Sequence, residues 1–569
     1  MSQPRIFVSR HRFSPHSYRT RHLMHHLTQR GVALLVLGSV ALGSFAFLSG
    51  CAVDGGSAVS AAAMRARQAN EEVIVEVRDA PAPAAVPPAP SGSGSAPVLI
   101  PRPKQVRFDP KATFTLTANT RILISPEATE AEQRAALLLA QGIQRRCGLR
   151  LPVQSVALAG TEREAILFLP LRSSPSIQKL QAAGNLPAPP GKPEGYAISV
   201  SPQRVVIAGK DRAGVIWGAQ TAIQLLEEGK PQVAGAKIRD YPSLRLRAVH
   251  LFHGQNALPF HKNLMGRVLA PLKMNAVFVQ AEQVRWNSDP GAAPDWAGTP
   301  EQIREEVQYG RQQGITVYPL VQGYGHLQAL LERGDRRKYA EDPVTPYAIN
   351  FTDPVAVAYL TKMIDEADRT FGAPGFHVGL DEIDLRGRMP HRSKGKTVPD
   401  LYLKGAKHWH RFFQKRKKPV FIWADEALLA KEVAPDFGTA KSAKDAAKIR
   451  AGLPKDAILC TWQYGERSSF PSLKKLRDAG FKNVVAATWW KPRNIQGFSR
   501  AAAKVGAMGA IQTTWCGYES SEAVLQTEER KQFTAMVLAA EYFWNGGEGP
   551  APDKLPYDPA EVFTRYYGK

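Results

Sequence analysis

The sequence predicts an α/β protein, a (β/α)8 barrel preceded by a smaller α+β domain, and three observations lead there. After residue 243, eight short apolar runs are each trailed by a longer segment of helical periodicity. Strand and helix alternating in this way over about 275 residues is the pattern of a closed parallel barrel. Upstream, short apolar runs are interleaved with only two helical stretches, which suits a small separate domain. The 569 residues, 44% apolar and 22% charged, sit near globular averages, which excludes a wholly disordered chain, a collagen and a polytopic membrane protein.

Taken in order, the first 50 residues hold six arginines and no acid, followed by an uncharged run from Val32 to Leu48. This is the pattern of an export signal. The run ends in Leu48-Ser49-Gly50-Cys51, which resembles the lipobox of bacterial lipoproteins, and Cys51 is the expected site of lipid attachment. The alternative is an uncleaved single-span anchor, since the run falls just within the ~17–25 residues a bilayer requires. Either reading places the rest of the chain outside the cytoplasm, in a bacterial cell envelope, with a membrane as partner through the N-terminal lipid.

Residues 52–97 read as a tether, with six prolines between residues 80 and 97 among Ala, Ser and Gly. The proline half is stiff and extended and the Gly/Ser half flexible. The net charge of +23 loses six arginines with the signal and stays basic. That favours anionic surfaces or glycans, and an exported chain excludes nucleic acid as partner. Cys147, Cys460 and Cys516 are widely spaced, with no CxxC pair. Neither a disulfide framework nor a metal site is expected from them, only buried thiols.

Residues 98–243 form the predicted non-catalytic α+β domain, with strands at 121–124, 165–169, 196–200 and 205–208 and helices at 130–147 and 214–228. The barrel is assigned to 244–520, with strands at 246–251, 276–280, 316–320, 376–380, 419–423, 457–462, 483–488 and 510–514. Segments 300–313, 354–371 and 401–415 carry apolar residues at i, i+3, i+4 spacing and are expected to cover it. A doubly wound sheet is the alternative, but no GxGxxG follows a first strand. Residues 521–569 are a C-terminal extension, with one amphipathic helix expected over 522–545.

Catalytic groups of a barrel project from the carboxyl ends of its strands. The fourth run, Phe376-His377-Val378-Gly379-Leu380, leads directly into Asp381-Glu382. Adjacent strand residues face opposite sides, so both carboxylates reach one pocket only if the backbone turns at Asp381. The bland alternative is a salt-bridged pair at the rim.

This stretch resembles glycoside hydrolase family 20, the β-N-acetylhexosaminidases, whose signature here is His, any residue, Gly, Gly, Asp, Glu; this chain has Leu380 for the second Gly. The resemblance extends to Glu194-Gly195-Tyr196, Gly214, Trp217-Gly218, Gln220-Thr221, Gln224-Leu225, Ile238, Asp240 and Pro242, and then to Lys273, Asn275 and Gly325-His326. Trp423, Trp462 and Trp515 fall at strand ends where the family keeps aromatics. The coverage is roughly residues 98 to 545.

The resemblance implies a retaining exo-glycosidase acting on a terminal β-linked N-acetylhexosamine through the substrate's own acetamide, an exception to the usual carboxylate pair. Glu382 would be the general acid and Asp381 would hold the acetamido group as it forms an oxazoline. Burial and the neighbouring Asp381 would keep Glu382 protonated. His326, Trp423, Trp462 and Trp515 would complete the sugar site, and no metal or cofactor is implied. His377 and His326 also admit a packed, hydrogen-bonded reading.

Some of the family's pattern is missing. Its sugar-gripping arginine after strand one is replaced by Phe252-His253-Gly254-Gln255. After strand two, Gln280-Ala281-Glu282-Gln283 replaces a His and paired aspartates, leaving Glu282 as a substitute acid. Trp489-Trp490-Lys491 stands where the family has Tyr-Leu-Asp, with Tyr464 as a replacement phenol, and Glu519 lies near a family sugar-binding Glu at the wrong spacing. Losing a bidentate hydroxyl contact alters substrate choice more readily than reaction type. A non-catalytic glycan-binding lipoprotein, or a glycosidase of the same fold with another substrate, therefore stands beside the enzyme reading. Arg386, Arg388, His391, Arg392, Lys394 and Lys396 crowd the next loop, which reads either as an anionic-glycan contact or as a solvated mobile loop.

Overall fold

The structure, a computed structural model, describes residues 96–568 apart from 173, 228, 434–436 and 519–520, all within one compact unit. The export signal, Cys51, nearly all of the tether and Glu519 therefore lie outside the described residues. Among the described residues, no helix is long and apolar enough to cross a membrane.

The N-terminal domain is a seven-stranded mixed sheet built from β1 (Gln105–Phe108), β2 (Arg121–Ile124), β3 (Val153–Ser155), β4 (Ala165–Leu169), β5 (Tyr196–Ser201), β6 (Arg204–Gly209) and β7 (Ala236–Asp240). Their order in the sheet is β1-β7-β5-β6-β4-β2-β3. Helices α1 (Glu130–Cys147) and α3 (Arg212–Gln224) pack together on one face, over Ile122, Ile166, Phe168, Ile198 and Ile207. A capping box between Thr129 and Glu132 starts α1, and Gly148, with φ of 75°, ends it, the left-handed stop that glycine adopts without strain. On the opposite face α2 (Pro175–Ala182) covers only the β4/β6 side, where Ile177 meets Leu167, Leu169, Val206 and Ala208. Strands β1, β3 and β7 escape sequence reading because half-buried or exposed positions break the apolar run, as in Ala236-Lys237-Ile238-Arg239.

Eight parallel strands close the barrel: β8 (Leu246–Phe252), β9 (Ala276–Gln280), β10 (Thr316–Leu320), β11 (Phe376–His377), β12 (Val420–Trp423), β13 (Ile458–Trp462), β14 (Asn483–Thr488) and β15 (Gly509–Gln512). Pairing of Leu246 with Gly509 seals the ring. Alternate residues fill it: Ala248, Phe278, Leu320, Phe421, Ile458, Val485 and Ile511 point inward, while Val249, Val277 and Leu459 pack under the helices. Both faces are buried, which is why the strands read as unbroken apolar runs.

Three expectations are corrected. Strand β11 ends at His377, not residue 380, because Gly379 and Leu380 take φ of 63° and 74°. The segment expected as one helix over 522–545 is a short 3-10 turn, Glu522–Gln526, followed by α4 (Arg530–Asn545), and a further helix, α5 (Pro559–Tyr567), packs on α4. Cys460 is buried, but Cys147 and Cys516 are only half-buried.

The two domains are welded by polar groups taken out of water. Arg247 of β8, fully buried, forks onto Glu194 at 2.7 and 3.2 Å, donates to the carbonyls of Leu244 and Lys273, and lies 4.9 Å from the Trp544 ring. Beside it, Asp240 accepts from Tyr196 at 2.6 Å and Trp544 at 3.0 Å and lies 3.5 Å from the Lys273 ammonium. Burial lowers Lys273 to about 8 against the pull of Asp240. Removing one member of such a pair leaves the other charge buried without compensation. Glu194→Ala is therefore expected to lower unfolding free energy by about 3 kcal/mol, read from urea midpoints. A loss under about 1 kcal/mol would mean that the pair behaves like a surface contact.

Candidate active site

The carboxylates stand at the mouth of the barrel on a backbone that has left the strand. After the last ladder bond, from Trp423 N–H to the Gly379 carbonyl, Gly379, Leu380 and Glu382 all have positive φ, the last at 46°. A Cβ on Gly379 would lie 1.8 Å from the Gln322 amide oxygen, so a larger residue would push that amide off Asp381. Leu380 takes a left-handed conformation that costs about 1–2 kcal/mol for a side chain. Its complete burial offsets this by roughly 1.5–3 kcal/mol.

The turn brings Asp381 and Glu382 to one imidazole. His326 Nε2 lies 3.2 Å from Asp381 Oδ2 and 3.5 Å from Glu382 Oε2, as ion contacts. The side chains of Asp381, Glu382 and His326 are 13%, 27% and 30% exposed, so all three reach solvent. Gln322 donates to Asp381 Oδ1 at 2.9 Å, and Asp425 accepts the Glu382 backbone N–H at 2.9 Å and the Thr439 hydroxyl at 3.1 Å. Asp425 and Gln322 each lie two residues past a barrel strand and were missed in the sequence, where neither carries a motif.

Burial favours a neutral His326, but Asp381 and then Glu382 outweigh it and raise the ring to about 10. Burial likewise opposes ionisation of Asp381, yet His326 and Gln322 hold its carboxyl below the ordinary range. Asp425 is pushed well above that range by burial and by Glu426, Asp381 and Glu382. The centre is thus an imidazole whose protonated form the two acids favour, with a third carboxyl beneath them whose charge burial disfavours. Burial also raises the phenols of Tyr347 and Tyr464, and both feel the charges of Asp381 and Glu382.

The other expected residues divide into two groups. Trp515 donates to the Tyr464 hydroxyl at 2.8 Å, and the Tyr464 ring stacks on Trp462 at 5.5 Å, so these three form one aromatic wall. Trp423 is only 1% exposed, wedged 4.4 Å from His377 and 6.2 Å from Trp515. In this structure it packs the barrel interior and offers no face to a sugar. Glu282 is also buried, occupied by the Gln322 N–H at 2.6 Å and by Tyr518. It reaches Asp381 only through Gln322. His377 accepts the Gly379 N–H at 3.0 Å, and burial lowers its ring to about 3, so it is a neutral core histidine.

At the missing arginine's position, His253 turns away from the mouth. Its Nδ1 and that of His261 lie 3.1 and 2.7 Å from the two oxygens of buried Glu306. Burial opposes the Glu306 charge, but His261 and His253 hold it at about 2. The basic loop is partly fixed: Arg388 forks onto Asp342, and Arg392 donates to the Lys338 carbonyl. Arg386 instead joins His326, Tyr347, Gln328, Glu332 and Leu385 around a cavity of about 400 Å³ beside the carboxylates. The donor atoms of His326, Asp381 and Glu382 lie within 4.8 Å of one another, as do those of His253, His261 and Glu306. These are the described groupings with the spacing of metal ligands.

A closed parallel barrel with two acids and an imidazole at its strand ends belongs to the class whose chemistry is mounted on the loops above the strands. The description "Glycosyl hydrolase family 20, domain 2" matches residues 96–241 and "Glycosyl hydrolase family 20, catalytic domain" matches 280–545, together more than two thirds of the chain. The chain belongs to glycosyl hydrolase family 20. It is similar to a lacto-N-biosidase of Bifidobacterium bifidum, 23% identical over 257 residues that cover 42% of this chain and 23% of that protein. A β-hexosaminidase of Porphyromonas gingivalis is 24% identical over 407 residues, 62% of this chain and 51% of that one. The chain thus spans about half the length of these curated relatives or less. In fold it is similar to the N-acetyl-β-hexosaminidase of Streptomyces plicatus, with a TM-score of 0.61 at 18% identity, covering 85% of this chain and 96% of that one.

The raised His326 ring predicts a pH signature. The folded protein keeps a proton that the unfolded chain loses above its ordinary value, so this stabilisation is complete below about pH 6.5. It is lost as pH climbs toward about 10. The stability gap between the wild type and His326→Asn is expected to be widest at the acid end of that window and to close across it, measured by urea denaturation. A gap that stays constant would contradict the imidazolium.

Proposed function

We propose that the chain is a retaining exo-β-N-acetylhexosaminidase-like glycoside hydrolase in which the substrate's acetamide is the nucleophile. The observation that carries this reading is the left-handed turn that aims Asp381 and Glu382 at one opening beside His326. Glu382, the more exposed acid, is placed to give its proton to the glycosidic oxygen, and as carboxylate it then takes one from water. Asp381, more enclosed and held as an anion, accepts the acetamide N–H. This orients the carbonyl oxygen toward the anomeric carbon and stabilises charge in the oxazoline. Tyr464, kept as a neutral phenol, supplies an O–H donor on the aromatic wall. Asp425 fixes the turn through the Glu382 backbone.

A second reading, a glycosidase of this fold with a different sugar preference, is favoured by His253. Its ring is committed to buried Glu306 and cannot grip sugar hydroxyls. The wider proposal is that residues 1–51 direct export and that Cys51 carries the lipid, holding the protein on the outer side of a bacterial membrane. Hydrolysis of a nitrophenyl N-acetylglucosaminide or N-acetylgalactosaminide is expected, with kcat falling about 10²–10⁴-fold in Glu382→Gln. Asp381→Asn should lose activity on the acetamido substrate, and the wild type should likewise fail to hydrolyse a glycoside in which a hydroxyl replaces the acetamide. No turnover on any acetamido glycoside, or full activity in Glu382→Gln, would overturn the assignment.

A further inference from the structure

A groove of about 980 Å³ lies on the N-terminal domain, far in sequence from the carboxylates and unused by the proposed reaction. It occupies the part of the sheet face that α2 leaves uncovered, and strand register fixes its floor. Ser199 pairs with Val206, which lies under α2, and also with Lys237; Lys237 in turn pairs with Arg107. Gln105 pairs with Arg239 in the next row. Directly paired residues stand on one face at about 5 Å, so Arg107, Lys237 and Arg239 form a compact cationic lattice, all three exposed. Arg102 and Lys104 extend it where the chain enters β1.

Of the lining cations, Lys104 and Arg102 lie within reach of the buried acids Asp240 and Glu541. The lining contains no aspartate or glutamate, and Arg107, Lys237 and Arg239 have no ion-pair partner among the described residues. Of the nearest acids in sequence, Asp240 points through the other face and is occupied by Tyr196, Trp544 and Lys273, while Asp109 accepts the Lys111 backbone N–H. Like charges directly opposed across two strands destabilise a sheet. The arrangement gains nothing for the fold, and an anion lying in the groove would relieve it.

We propose that this groove binds a linear anionic polysaccharide, with the carboxylates of successive sugars on Arg107, Lys237 and Arg239. The cations lie on the floor of a concavity, where a flexible chain can settle and a flat bilayer cannot reach. Gln105, Gln181 and Asn185 offer amides for sugar hydroxyls. The lining has no aromatic residue, so it lacks the stacking platform by which single-stranded nucleic acid is held. The inference is independent of the barrel's chemistry: the groove would anchor the protein on an acidic glycan whatever sugar the barrel cleaves.

The test uses the full chain and polygalacturonate as the probe, with affinity from calorimetry and the unfolding midpoint with and without polymer. The triple variant Arg107→Gln, Lys237→Gln, Arg239→Gln is compared with Lys404→Gln, Lys407→Gln, Lys504→Gln, which removes the same charge from exposed helix positions. The groove variant is expected to weaken binding by about tenfold or more, while the control stays within about twofold. Without polymer, the groove variant should unfold at the wild-type midpoint or above it, because the repulsion is gone, and its midpoint should no longer rise when polymer is added. Turnover of a small nitrophenyl glycoside, if present in the wild type, should be the same in all three proteins. Equal weakening in both variants, no binding by the wild type, or a preference for phosphatidylglycerol vesicles or single-stranded DNA over the polyuronate would overturn the proposal.

Discussion

Consecutive residues of an extended strand point to opposite faces, so two adjacent acids can serve one opening only where the backbone abandons the strand. The rest of the site follows from that constraint. Strand β11 stops at His377, and positive φ at Gly379, Leu380 and Glu382 swings both acids to the mouth. Gly379 leaves room for Gln322, which in turn holds Asp381. The strain at Leu380 is offset by burying its side chain, and Asp425 ties down the Glu382 N–H. His326, itself at φ of 54°, stands against both acids, which raise its ring to about 10.

The architecture was legible because its elements carry local signals. Helix α1, the helix Pro354–Phe371 and strands β9, β10 and β14 fall where apolar period and capping residues place them. The site was legible only as far as sequence neighbours go. Asp381-Glu382 could be read directly, whereas Gln322 and Asp425 act through contacts 59 and 43 residues away in the chain. Trp423 and Glu282 stood at the right strand ends, but their inward packing depends on His377, Tyr518 and Gln322, which no local pattern reveals.

Several of the residues that carried the resemblance outside the acid pair build the joint between the domains or the packing on either side of it. Glu194, Tyr196, Asp240 and Lys273 share one buried polar network. Gln224 clamps Ile100 on both its N–H and carbonyl, and a Cβ on Gly214 would lie 2.2 Å from the Gly195 carbonyl oxygen. Asn275 accepts from the Arg247 backbone. These positions are constrained by packing whatever the substrate, so they report the fold. The departures from the family pattern at His253, Glu282 and Tyr464 lie one or two residues past barrel strands, outside that joint.

Asp381 is proposed to hold the group that attacks the anomeric carbon while Glu382 moves the proton. Calorimetric binding of a sugar thiazoline, a stable mimic of the bicyclic oxazoline, tests it most directly. Tight binding is expected for the wild type and for Glu382→Gln, and its loss in Asp381→Asn. Equal affinity for the two variants, or no binding to the wild type, would contradict it.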